Sequence, residues 1–161
     1  MPILHVQLGG EGQTPNGKKV PLPPNIALAQ RGPVVQLTIG VAQAIAEQLL
    51  KEGKPVPQPI SGLGLIDTGA SATCIDEVSA QRLQLPVVDV VQIASASHAS
   101  TEQNVYPLHI EIVGFPIGLD VPRAIGAPLA AQGLLVLIGR DALHQAILIY
   151  NGMAGQFTLS L

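Results

Sequence analysis

Hydrophobic positions change their spacing several times along this chain, and each change marks an element. Pro33 to Gly40 alternates apolar and polar residues with the period of a strand. From Val41 to Glu52 the period lengthens. Ile45, Ala46, Leu49 and Leu50 share one helical face opposite Gln43, Glu47, Gln48 and Lys51, and Gly53 stops the helix. Pro55, Pro57 and Pro59 make a stiff connector, after which Leu63 to Ile66 forms a short apolar strand running into Asp67. Asp76 is placed to cap a short helix with Val78 and Leu83 on its apolar side, ending before Pro86. Val87 to Ile93 and Val105 to Val113 read as strands on either side of a small, polar tract from Ala94 to Asn104. Leu134 to Ile138 is a buried strand, and Gly139-Arg140-Asp141 opens a helical turn capped by Asp141. Gln145 to Tyr150 and Gln156 to Leu161 are strands joined at Asn151-Gly152, a strong hairpin signal. Residues 9–25 are crowded with glycine and proline and read as a loop or a loosely tethered arm. No fixed-period repeat is visible.

Composition narrows the picture. A chain of 161 residues argues for one domain, in which folding hides roughly 68–70% of the unfolded surface. Hydrophobic residues at 47% and charged residues at 12% exclude intrinsic disorder. A net charge of −3 supplies no basic patch to neutralise phosphates, so no nucleic-acid partner is expected. One cysteine excludes a disulfide framework and every multi-cysteine zinc site, and the four histidines lack metal-ligand spacing. No metal or cofactor is expected. The first ten residues lack a basic segment followed by an apolar core, and no run approaches a membrane span. The expectation is therefore a cytoplasmic protein with no membrane partner. So little charge leaves a greasy surface, which association would hide.

The chemistry concentrates at Leu63-Gly64-Leu65-Ile66-Asp67-Thr68-Gly69-Ala70-Ser71. An apolar strand delivers a lone carboxylate into a turn, where Gly69 permits a tight bend and Thr68 offers a nearby hydroxyl. Such a carboxylate is costly unless hydrogen-bonded or used. The plain alternative is an Asp-Thr-Gly turn whose side chain is satisfied locally. Other signals fail: Gly69-Ala70-Ser71-Ala72-Thr73 lacks the last glycine of a nucleophile elbow, and Gly62-Leu63-Gly64 lacks the third glycine of a dinucleotide loop. Cys74 reads as a small buried residue behind the turn.

About seventy residues later the chain reads Leu134-Leu135-Val136-Leu137-Ile138-Gly139-Arg140-Asp141. The two stretches together resemble the retropepsin-like aspartic proteases, in which a hydrophobic strand enters Asp-Thr-Gly-Ala and a later apolar strand enters Ile-Gly-Arg-Asn/Asp. The resemblance covers residues 33–161, with residues 1–32 as an added arm. It implies a mostly β acid-protease barrel with two or three short helices, working as a homodimer. Asp67 would be the catalytic residue, paired with Asp67 of a second copy, and an extended peptide would be the substrate. Thr68 would lock the two active-site loops together across the two-fold axis. Gly69, Ala70 and Gly139 would support the site, and Arg140 would fasten the helical turn to the loop through a carboxylate, with Asp76 a candidate. Ala70 stands where pepsins carry a hydroxyl, which implies a less acidic optimum than pepsin's. The intervening hairpin sits where the family has its substrate-covering flap, with Ser97, His98 and Ala99 at the tip, although the usual glycines are missing there. His98 also reads as an ordinary solvent-facing residue. The strand Gln156 to Leu161 is a candidate dimer-interface element. A second reading from another class is a dimerisation or peptide-binding module of the same fold with vestigial or latent proteolysis.

Overall fold

The structure, a computed structural model, describes residues 2–95, 98–116 and 118–161, with backbone alone for 94, 95 and 98–100. Its centre is a ring of strands. Val34–Gly40 (β4) lies antiparallel to Ile60–Ile66 (β5), with Val35, Leu37 and Ile39 buried on alternate positions. Val136–Ile138 (β10) runs parallel to β5 and antiparallel to Cys74–Asp76 (β6). Next to β6 comes Gly118–Ala127 (β9), then His98–Ile112 (β8), and β8 pairs back onto β4. Six strands thus close into a barrel in the order β4-β5-β10-β6-β9-β8, and Asp89–Ser95 (β7) extends beyond β8 as a hairpin. Closure leaves those six without a free edge. The barrel is filled by apolar side chains such as Leu37, Ile39, Ile75, Leu108, Ile110 and Val136, each contributing about 1.5–3 kcal/mol through burial. The fold is mostly β with short helices, as the hydrophobic pattern predicts.

Residues 2–32 are not a loose arm. Ile3–Gln7 (β1) pairs antiparallel with Gln156–Ser160 (β12), which also pairs with Ile147–Asn151 (β11), giving a separate three-stranded sheet. Glu11–Gln13 (β2) and Lys19–Pro21 (β3) form a small hairpin, and Pro24–Arg31 (α1) buries Ala27 and Leu28 against the core. Proline just inside the start of α1 suits a helix N-terminus, so the glycine and proline density conceals a helix. With Gln43–Lys51 (α2), Glu77–Arg82 (α3) and Arg140–Leu143 (α4), the described residues hold four α-helices, one more than the pattern suggests. β12 is also placed differently from expectation. It is the middle strand of its sheet, and neither of its edges is free.

β9 escapes sequence reading because it contains Pro122, and Pro107 lies opposite it in β8. Tyr106 pairs with Ala124 and Leu108 with Val121, so both prolines sit where the register shifts. A bulge tolerates residues with no N–H to give to the ladder. The described residues of the small, polar tract Ala94 to Asn104 are hairpin strand.

The base of that hairpin is tied to α3 by a buried polar knot. The Tyr106 hydroxyl donates to Glu77 Oε1 at 2.6 Å, Asn104 Nδ2 donates to the same oxygen at 3.1 Å, and Glu77 Oε2 is buried with no partner among the described residues. Burial first, and then the bond to Glu77, push the Tyr106 hydroxyl above its ordinary range. A raised native value means that this stabilisation is present at neutral pH and drains away as pH climbs past about 10. Tyr106→Phe is expected to cost about 1–3 kcal/mol in urea unfolding at pH 7, because Glu77 loses its shortest donor. The same titration repeated above pH 10 should show wild type converging on the variant.

Candidate functional site

β5 and β10 leave the barrel side by side, in parallel, with Ile66 opposite Ile138. Asp67 follows one and Gly139 follows the other, so two segments far apart in sequence meet at one barrel end. The joint is hydrogen-bonded at both ends. Asp67 N–H donates to the Ile138 carbonyl at 2.9 Å, and Arg140 N–H donates to the Ala70 carbonyl at 3.0 Å. Gly139 has no room for a side chain, since a Cβ would lie 2.5 Å from the Ala72 carbonyl group.

Side chains complete the brace. Arg140 Nη1 donates to the carbonyl oxygens of Thr68 at 2.8 Å and Gly69 at 3.0 Å. The arginine therefore holds the turn directly by its backbone, not through a carboxylate. Asp76 is engaged elsewhere: it is buried, caps α3 through Ser79 N–H and Oγ, and accepts from Ala130 N–H. Asp141 does not occupy the cap position of α4, which is Gly139. Its carboxylate instead accepts from Thr73 N–H at 3.0 Å and Thr73 Oγ1 at 2.8 Å, while Thr73 Oγ1 accepts from Gly139 N–H at 3.1 Å. Thr73 and Asp141 are the site residues that sequence reasoning missed. Only the knowledge that β10 slots between β5 and β6 would have paired them.

Within this brace the Asp67 carboxylate is half-buried, and Thr68 and Gly69 are exposed. Gly69 N–H donates to Asp67 Oδ1 at 2.7 Å, whereas Oδ2 accepts no hydrogen bond among the described residues. Gly69 is needed here for space, because a Cβ would come within 3.0 Å of Oδ1. Ala70 is half-buried and closes the turn by donating its N–H to the Asp67 carbonyl at 3.3 Å. Cys74 lies behind the loop, half-buried. Burial, and after it the charges of Asp141 and Asp67, push its thiol above the ordinary range. That thiol is protonated at neutral pH and is no nucleophile.

Alternation along β5 puts Leu63, Leu65 and Asp67 on one side of the strand. Leu63 and Leu65, with Leu134, line a groove of about 1070 Å³ whose far wall is β1 and Arg31. A separate groove of about 510 Å³ has Ala72, Val91, Val121 and Asp141 among its walls, and Asp67 is in the lining of neither groove. Of the expected flap residues, His98 and Ala99 open β8, with His98 paired to Ser95, and Ser97 lies outside the described residues. Among the described residues no group of three or more His, Cys, Asp or Glu side chains could hold a metal ion, and no helix is long and apolar enough to cross a membrane.

No family model matches the chain, and no curated protein matches it. Solved structures do. A foamy viral protease-reverse transcriptase bound to an RNA/DNA hybrid aligns over 70% of this chain at 20% identity, with a TM-score of 0.43. A second structure, of foamy viral protease-reverse transcriptase dRH with double-stranded DNA, aligns over 69% at 20% identity and a TM-score of 0.42. The retroviral protease-like domain of Ddi1 from Leishmania major aligns over 73% at 12% identity, with a TM-score of 0.40. The aligned region spans only 12% and 15% of the two foamy viral chains, and 81% of the Ddi1 domain.

Two outcomes follow from the brace. Gly139→Ala forces a methyl group into the Ala72 backbone and is expected to cost about 1–3 kcal/mol in denaturant unfolding. Asp67→Asn removes one of the charges that hold the Cys74 thiol up, so Cys74 should react faster with a thiol reagent at pH 8, without loss of stability.

Proposed function

We propose that the chain is one subunit of a homodimeric aspartic endopeptidase, with Asp67 as its catalytic residue. The observation that carries this reading is the carboxylate itself: it is held at the exit of a barrel strand by a stapled loop, with one oxygen fixed and the other open. The bond to Gly69 is an Asx turn, which uses one oxygen and leaves the other available for proton transfer. A single such carboxylate is half of a water-activating pair, and a second copy of the chain supplies the other half across a two-fold axis.

Two carboxylates brought that close share one proton, because they cannot both ionise easily. The ionised member takes a proton from a water lying between them, and that water's oxygen bonds to the scissile carbonyl carbon. The protonated member gives its proton to the carbonyl oxygen as the C=O double bond opens. The tetrahedral diol then collapses. The C–N bond breaks as the amine takes the proton that the first aspartate had gained from the water, and one diol hydroxyl gives its proton to the other aspartate, leaving a new carboxyl group and a pair that again holds one proton. Thr68, exposed beside Asp67, is positioned to meet its copy across the axis, and Arg140 keeps both loops in register. The β7–β8 hairpin serves as the flap over an extended peptide that pairs with it backbone to backbone. Leu65, two residues before Asp67 on the same side of β5, favours an apolar substrate side chain beside the cleaved bond.

The test is cleavage of a mixed peptide library by wild type and Asp67→Asn across pH 4–7. Wild type should cut beside apolar residues and Asp67→Asn should be slower by at least about a hundredfold, the scale set by loss of an acid–base group. The wild-type rate should stay high towards pH 6, the less acidic optimum that Ala70 in the place of pepsin's hydroxyl residue implies. Equal cleavage by both proteins removes Asp67 from the chemistry. Peptide binding without cleavage by either identifies a binding module.

A further inference from the structure

β1 is an outer strand of the three-stranded sheet, and it walls the groove of about 1070 Å³. We propose that this groove seats a peptide. An extended segment of a partner protein, apolar on the side it buries, adds to β1 as a fourth strand and sets a carboxylate on Arg31. The seat is independent of the catalytic reading, because Asp67 is not in the lining of the groove.

The backbone of β1 makes the first half of the case. At the two ends of its ladder with β12, Leu161 N–H donates to the Pro2 carbonyl and Leu8 N–H donates to the Gly155 carbonyl. Antiparallel pairs exchange bonds at every second residue, so Leu4 and Val6 also turn their amides and carbonyls to β12. Ile3, His5 and Gln7 then turn theirs to the free edge. The groove reaches that edge, since six consecutive residues from Leu4 to Gly9 line it, whereas a strand showing one face would contribute every second residue. A row of free donors and acceptors beside a groove is the template that an added strand completes.

Side chains choose the occupant. Val34, Leu63, Leu65 and Leu134 give the groove an apolar wall, and Leu63 is 36% exposed there. None of the chain's eleven aspartates and glutamates lines it, and its ionisable residues, His5 and Arg31, are both basic. This is a local excess of positive charge on a chain of net charge −3. The Arg31 guanidinium lies against Gly10 and donates from Nη1 to the Gly9 carbonyl at 3.5 Å, and among the described residues it has no carboxylate partner. Its other donors suit a carboxylate, which a guanidinium binds by two parallel bonds. A recess between β1, α1 and the barrel admits one strand and excludes a second folded sheet. An alkyl carboxylate would fill the apolar wall but leave the backbone of His5 and Gln7 unpaired.

The test is fluorescence anisotropy of the end-capped, fluorescein-labelled peptide Glu-Thr-Val-Thr-Val-Thr with wild type, Arg31→Glu and Asp67→Asn. Wild type and Asp67→Asn should bind it alike. Arg31→Glu, exposed and so expected to keep its circular dichroism spectrum, should bind it at least about tenfold more weakly and should prefer a peptide with lysine in place of glutamate. Two further peptides carry N-methyl groups on either the valine or the threonine amides. One of them should lose binding and the other keep it, because only alternate amides face β1. Wild type that binds nothing overturns the seat, as does an Arg31→Glu variant with unchanged preference. Two methylated peptides that bind like the parent, with decanoate displacing all three, replace the strand by an alkyl-carboxylate site. Binding lost in Asp67→Asn puts the peptide in the catalytic cleft, which overturns the seat and leaves the Asp67 reading standing.

Discussion

The parallel contact between β5 and β10 is the constraint from which the site follows. Parallel neighbours point the same way, so both chains emerge from the same end of the barrel and their loops must share that space. One loop carries Asp67 and the other carries Gly139 and Arg140. Backbone bonds join them at Asp67–Ile138 and Ala70–Arg140, and the arginine side chain adds two more at Thr68 and Gly69. A turn of small residues has little intrinsic rigidity. Here it borrows rigidity from the barrel, which is what a site needs when a carboxylate has to be held in one place.

β6 completes the arrangement. Inserted antiparallel beside β10, it brings Thr73 under Gly139 and lets Asp141 reach Thr73 from the other loop. These polar contacts are mutual: each donor in the group meets an acceptor already aimed by another bond. Removing any member leaves a partner unsatisfied in a covered space, so the brace behaves as a unit. Gly139 stands at its centre because the two loops approach more closely than any side chain allows.

Much of this was legible in the sequence, for identifiable reasons. Strands that line the barrel carry an apolar face, so β4 and the inner half of β8 show by alternation and β5 as a short apolar run, while β7, outside the barrel, shows by its β-branched residues. Asn151-Gly152 marks the β11–β12 hairpin by turn chemistry alone. The elements that stayed hidden owe their form to contacts distant in sequence. β1 is a strand because β12 is there to pair with it, and the three residues of β6 are too few to carry a period. β9 hides behind Pro122. The Asp67 loop could be recognised from residue types, but its fastening could not. Arg140 was read as seeking a carboxylate, whereas it finds carbonyls that only the folded turn presents together.

The paired prolines of β8 and β9 have a mechanical consequence. Neither Pro107 nor Pro122 has an amide hydrogen, so the ladder between the strands is interrupted at one level. Pairing resumes above that level, where Val105 and Tyr106 meet Ile125 and Ala124 of β9 while Ile125 meets Cys74 of β6, so the barrel wall continues on both sides of the bulge. The projecting part of the hairpin therefore begins beyond Val105, and the bonds of Tyr106 and Asn104 to Glu77 fasten its root. The bulge turns the wall at that height, and the hairpin leaves the barrel from a fixed footing.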